Sequence, residues 1–354
     1  MRWRPLARKA LGGLLVLSLV FSGWSLWQFS TTRGGEFLVA RGAEQMQAAY
    51  DRALARHATP ERVAELIGDR LQERPRNWVA LEGLMALAEA QDMPLPDDLR
   101  AEYDTAHAQD FSAGARMAGC AACAYDLRRC SMGADLACGI GVNLTVLGDV
   151  VSLGRESGAY MRGEAVDQVD VTLSFIGIGA TGLVVLSGGT SLSVKAGAGL
   201  MKVAHRMGRM TPGVRRLYLR AFRDGVDWAR VPALRSGDDL ARVARSDALT
   251  PAVEMTRHLG ALDAAVGTRG AMHMMRHVDT VADARRISRA STVLGPRSVG
   301  AMEVLGKARF LRVGLRLAEP LRDAIAALLA ALSAGAGLVS GRVLRALRRA
   351  AAGR

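Results

Sequence analysis

Residues 171–194 read VTLSFIGIGATGLVVLSGGTSLSV, 24 positions without an ionisable side chain, closed by Asp170 on one side and Lys195 on the other. About 20 residues at a rise of 1.5 Å cross a hydrocarbon core of about 30 Å, so the stretch is long enough for a membrane span. The charge balance also changes sign across it. Residues 31–170 carry 14 Arg, no Lys and 22 acidic side chains, whereas residues 195–354 carry 29 basic against 12 acidic ones. Basic segments are retained in the cytoplasm. The reversal therefore predicts a bilayer crossing here, with the acidic half outside and the basic half within. A helix enclosed in a larger helical core has the same composition, and Gly177, Gly179 and Gly182 serve close helix packing as readily as a lipid-facing surface. The same glycines spell GxGxxG, yet no opening strand or framed acidic partner accompanies them, as a dinucleotide-binding turn requires.

Bulk composition points the same way. Half of the 354 residues are hydrophobic but only 5% are aromatic, and the abundance of Ala and Leu favours helices over a β-sandwich. The formal charge of +13 suits an anionic partner. Its arginines are scattered along apolar helices and no recognised nucleic-acid module is present, so an anionic lipid bilayer is the partner expected first, with a protein of the cell envelope second.

Five segments follow from the patterning. Residues 1–30 read as a signal anchor: Arg2, Arg4, Arg8 and Lys9 precede an apolar run, residues 10–29, that ends among Trp24, Trp27, Gln28 and Phe29 without a small-x-small cleavage site. Residues 31–133 form an acidic helical region. In it Met46, Tyr50 and Leu54 keep helical spacing, Thr59-Pro60 opens a helix using Val63, Leu66, Ile67 and Leu71, and Trp78, Leu81, Leu84, Met85 and Leu87 mark another. Residues 134–194 form an apolar, glycine-rich hairpin or transmembrane region, although Asp149 is costly in a spanning helix. Residues 195–323 form a basic helical domain, and residues 324–354 an apolar helix with an arginine-rich tail.

All four cysteines, Cys120, Cys123, Cys130 and Cys138, fall within 19 residues. An even, clustered set on the exported side of an anchor predicts one or two disulfides, with three complete pairings open. The spacing is poor for a tetrathiolate metal site, since no second close CxxC follows.

In the basic half, Arg215, Arg216, Arg220 and Arg223 interleave with Val214, Leu217, Leu219 and Phe222, an amphipathic surface suited to anionic headgroups. Arg342, Arg345, Arg348 and Arg349 are a second membrane-surface candidate. His273 and His277 lie one helical turn apart, but HMMRH lacks the acidic residue of HExxH. No metal, cofactor or catalytic constellation is expected, and enzymatic activity is not the favoured reading.

Asp149, Tyr160 to Glu164, Asp167 to Asp170, Leu173, Gly177 to Gly182, Lys195-Ala196-Gly197, Lys202 and the run RASTVLGPRSVGAMEVLG (289–306) together resemble the glycine-rich helical pre-toxin regions that precede effector domains in bacterial polymorphic toxins. The resemblance covers about half the chain. It implies a membrane-associated or delivery role, often ahead of a nuclease, but no nuclease-like cluster follows Arg289 and no catalytic residue carries over.

The expected protein is mainly α: a membrane-anchored helical protein of the bacterial inner membrane with a glycine-rich apolar hairpin, its N-terminus cytoplasmic and its cysteine region periplasmic. Its expected role is structural or interaction-based, in envelope assembly or transport. The alternatives are a secreted or membrane-active effector and a soluble extracytoplasmic helical domain on a single anchor.

Overall fold

The structure, a computed structural model, describes residues 33–131, 133, 167–187, 192–233 and 243–314. The chain divides into two compact units, and residues 50–315 make up one of them. Everything below concerns that unit; residues 33–49, the start of the first helix, belong to the other.

The described residues are helical throughout, with one isolated bridge between Val226 and Ala244. In chain order the helices are α1 (Arg33–His57), α2 (Pro60–Gln72), α3 (Trp78–Ala90), α4 (Asp97–Asp110) and α5 (Ala113–Tyr125), followed by a 3₁₀ turn, Leu127–Arg129. After residue 167 come α6 (Gln168–Ser187), α7 (Leu192–Arg206), α8 (Pro212–Gly225), a second 3₁₀ turn (Trp228–Ala233), α9 (Ser246–Met275), α10 (Val281–Leu294) and α11 (297–314).

Local chemistry sets several of the boundaries. Thr59 and Thr211 each accept a hydrogen bond from a backbone N–H three residues on, Arg62 at 3.3 Å and Val214 at 3.4 Å, and a proline fills the first position of each helix. The cap satisfies one of the orphan amides of the first turn, and proline has no amide to orphan. α9 bends at Gly267, whose φ of 70° a side-chain-bearing residue rarely adopts.

The core has two neighbourhoods. α9 is central: it packs on α7, α8 and α10 and reaches α3, while α2 packs on α3 and α4. Tyr50 fastens the end of α1 to α11, its hydroxyl donating to the Phe310 carbonyl at 2.8 Å and its ring 5.0 Å from that of Phe310. Where α7 crosses α9 the backbones touch, because a Cβ on Gly197 would overlap the Thr256 carbonyl and one on Gly260 the Ser193 carbonyl.

The uncharged stretch does not form one helix. α6 ends at Ser187 and a new helix starts at Leu192. α6 packs on α7 and α8, with Val169, Val171, Leu173, Phe175 and Ile176 buried. Its polar residues are answered within the protein. Thr172 and Ser174 donate to the carbonyls of Gln168 and Asp170 at 2.7 and 2.8 Å, and buried Asp170 meets Arg206 at 3.3 Å. The first half of α6 is thus buried against α7 and α8.

No helix among the described residues is long and apolar enough to cross a membrane. This corrects the membrane-anchored fold expected from residues 171–194. The inner-membrane placement, the topology with a cytoplasmic N-terminus and a periplasmic cysteine region, and the anionic bilayer as partner are corrected with it. The expectation failed because a charge-free run reports burial but not the medium that buries it. The anchor read at residues 10–29, the first arm of the hairpin (134–166) and the apolar run 324–341 lie outside the described residues. The mainly α class stands.

Candidate functional site

Arg215, Arg216, Arg220 and Arg223 lie on the exposed side of α8, whose other side buries Val214, Tyr218, Ala221 and Phe222. Tyr218 donates to or accepts from Thr256 at 2.7 Å in the interior, and Phe222 stacks on Trp228 at 4.5 Å, so the helix cannot roll about its axis. The arginines border two recesses. Arg216, Arg220 and Arg223 line one of about 310 Å³. Arg128, Arg206, Arg215, His205, Asp167 and Val169 line the other, of about 700 Å³. Gln168 and Leu219 line both, so the two recesses adjoin on one grooved face.

Among the described residues, Arg128, Arg215, Arg216, Arg220 and Arg223 form no ion pair, whereas Arg70, Arg76 and Arg276 elsewhere each meet a carboxylate. In the larger recess Arg206 is shared with Asp170. Asp167, the acidic residue among the described lining, is occupied. His205 Nε2 sits 2.9 and 2.7 Å from its two oxygens, and the amides of Val169 and Asp170 donate to Oδ1 at 3.1 and 3.2 Å. Burial opposes ionisation of Asp167, but these hydrogen bonds outweigh it and hold the carboxyl below its usual range.

Arg128 reaches the groove from a distant part of the sequence. It stands in the 3₁₀ turn between Cys123 and Cys130, which are joined by a disulfide with Cα atoms 4.5 Å apart. Asp126 accepts the Arg128 amide at 3.0 Å, and the turn packs on α5 and α7. Cys120 is disulfide-bonded as well. Cys138 and the arginines Arg342, Arg345, Arg348 and Arg349 lie outside the described residues.

A second polar cluster ties four helices together. Glu303 of α11, its side chain 2% exposed, accepts from Arg70 Nε and Nη2 of α2 at 3.2 and 2.7 Å and from Arg276, which caps the end of α9. It also accepts from His273 Nε2 at 2.8 Å. The other ring nitrogen of His273 lies 3.2 Å from the amide nitrogen of Asn77, which fixes it as an acceptor; Asn77 Oδ1 in turn caps α3 by accepting from Ala80. Burial keeps His273 neutral, lowering its pKa despite the nearby carboxylate. Burial resists ionisation of Glu303, but the His273 hydrogen bond and the charges of Arg276 and Arg70 prevail and hold its pKa down at about 2. His277, paired with His273 in the sequence, turns elsewhere and accepts from Arg276 Nε at 3.0 Å. Among the described residues no group of three or more His, Cys, Asp or Glu side chains is placed to hold a metal.

The sequence singled out the α8 arginines as a membrane surface and gave no indication that Arg128, His205 and Arg206 would be their neighbours. The available signal for Arg128 was its place inside a short cysteine loop. Comparison with known proteins finds no matching family, no similar curated protein and no similar solved structure.

Proposed function

We propose that this chain is a disulfide-bearing helical binding domain that recognises an anionic partner through the groove between α6, α7, α8 and the Cys123–Cys130 turn. The carrying observation is the set of five guanidinium groups, Arg128, Arg215, Arg216, Arg220 and Arg223, that border one groove and form no ion pair among the described residues. Folded arginines in such a cluster repel one another, and a ligand of opposite charge relieves that repulsion while supplying acceptors for the planar forks. The disulfide between Cys123 and Cys130 holds the turn that carries Arg128 against the groove.

Binding rather than catalysis is assigned because the most chemically distinctive cluster has no capacity left. Glu303 accepts from four donors and both ring nitrogens of His273 are engaged, so neither group has a free lone pair or proton for a substrate. Under this reading the pre-toxin resemblance describes a delivered docking region.

Retention of the full-length chain on immobilised polyanion and polycation columns tests the proposal. The wild type should elute from the polyanion only at raised salt, and Arg216→Glu/Arg220→Glu/Arg223→Glu should elute early with unchanged far-UV circular dichroism. Equal retention of both proteins would remove the groove from the function.

A further inference from the structure

We infer that the partner of the arginine face is a second copy of this chain, docking through the acidic side of its α4. The inference rests on the anionic-partner reading and names that partner.

α4 offers an acidic face with nothing of its own chain on it. Asp97, Asp98, Glu102 and Asp104 are all exposed, away from buried Ala106 and half-buried Leu99 and Tyr103. Among the described residues none of the four forms an ion pair, and Glu102 accepts the Gln72 side-chain amide at 3.1 Å. Asp97 and Asp98 suit the positive end of their own helix, but Glu102 and Asp104 lie beyond the first turn, where that support fades. Asp98 and Glu102 are moreover one turn apart and repel each other. A basic partner relieves both conditions.

The two faces match in pitch and in sign. Asp97 and Asp104 are seven residues apart on α4, as are Arg216 and Arg223 on α8, about 10.5 Å along either axis. The α4 face sets four carboxylates against one guanidinium, Arg100. The α8 face sets the guanidiniums of Arg215, Arg216, Arg220 and Arg223 against one carboxylate, Asp224. Between the acids of α4 stand Ala101, Thr105 and Ala108, small and exposed, which leave room for long arginine side chains to lie across the helix. Half-buried Leu219 gives the approaching helix an apolar patch among the arginines.

Neither face is served within one molecule. α4 packs on α2 and α5, whereas α8 packs on α6 and α9, and among the described residues no ion pair joins the two faces. A second copy answers both at once. Because the contact joins unlike faces, each docked pair keeps one face of each sign open, and association runs on unless a ring closes. Exposed ion pairs are individually weak and screened by salt, so the assembly is held by the set and comes apart as the salt rises.

Sedimentation velocity of the full chain, at about 0.01 M and about 1 M salt, tests this beside the polyanion column. The screening length falls from about 30 Å to about 3 Å between these conditions. At low salt the average mass should rise with protein concentration, and at high salt it should fall to that of a single chain. Glu102→Lys/Asp104→Lys and, separately, Arg216→Glu/Arg220→Glu/Arg223→Glu should each abolish the rise. An equimolar mixture of the two variants should recover it, since each supplies the face that the other lacks, and two misfolded proteins would not complement. A wild type that stays a single chain at low salt while the polyanion retains it would overturn the second copy and leave the anionic-partner reading standing. Association that survives 1 M salt, that either variant keeps, or that the mixture fails to recover would overturn the contact between α4 and α8. Neither association nor retention would sink both readings together.

Discussion

Gly197 and Gly260 face each other where α7 crosses α9, each backbone occupying the space where the other residue's side chain would begin. The contact brings α7 against the longest described helix of the fold, and the obstructing atoms are backbone carbonyls that cannot rotate away. Gly260→Ala should lower stability by about 3 kcal/mol, at the upper end of overpacking costs. A urea melt reads this directly. An unchanged midpoint would show that the helices separate without penalty.

Leu173 is fully buried in α6. If protein surrounds that helix, truncation leaves a cavity. Leu173→Ala should then cost about 3 kcal/mol in the same assay. A surface leucine would cost far less, so the measurement also tests the packing that replaced the membrane span.

Stability should fall with acid over two pH windows. His277 has its pKa lowered from 6.5 to about 4, burial and the Arg276 charge disfavouring its protonated form, and Glu303 has its pKa lowered from 4.5 to about 2. In both cases the folded chain binds fewer protons than the unfolded one between the two values, so stability rises with pH. The contribution is complete above pH 6.5, begins to fall below it, and falls again from pH 4.5 toward 2. At about 1.4 kcal/mol per pH unit the Glu303 share is about 3 kcal/mol. The groups facing this carboxylate are Arg70 with Glu73, His273, Arg276, and His277 beyond it. Glu303→Gln should destabilise the protein by about 3 kcal/mol at neutral pH, since it leaves the Arg70 and Arg276 charges uncompensated. It should also flatten the pH dependence below 4.5. A variant that keeps the low-pH slope would assign that slope to other carboxylates.

The disulfide has a structural and a functional readout. Replacing both Cys123 and Cys130 by Ser frees a short loop and should cost about 2 kcal/mol in the chain-entropy account. It should also weaken polyanion binding several-fold, because Arg128 is positioned by that loop. Loss of stability with unchanged binding would remove Arg128 from the groove's working set.

What the sequence made readable was local. Thr59-Pro60 announced its helix because caps act within one turn, and the buried positions of α2 followed its apolar spacing. Residues 171–194 misled because lack of charge is common to lipid-facing and protein-enclosed helices. The useful hints were Thr172 and Ser174, which bond back to their own helix, and the glycines that follow, Gly197 among them, which admit a neighbouring backbone. His273 was singled out through His277, yet its working partner is Glu303, 30 residues away on another helix. Arg128 and Arg215 share a recess only once the chain has folded, and no periodicity records that meeting.

Chain order adds a consequence to the burial of α6. A ribosome delivers this helix before α7 and α8, the two that cover it. Until Gly225 has emerged, the nascent chain presents Val171, Leu173, Phe175 and Ile176 to the surroundings with no charged residue among them. Transiently bared apolar segments of this kind are what holdase chaperones bind. Synthesis therefore passes through an interval of vulnerability that the finished molecule no longer displays, and its length is set by the distance in sequence from Ser187 to Gly225.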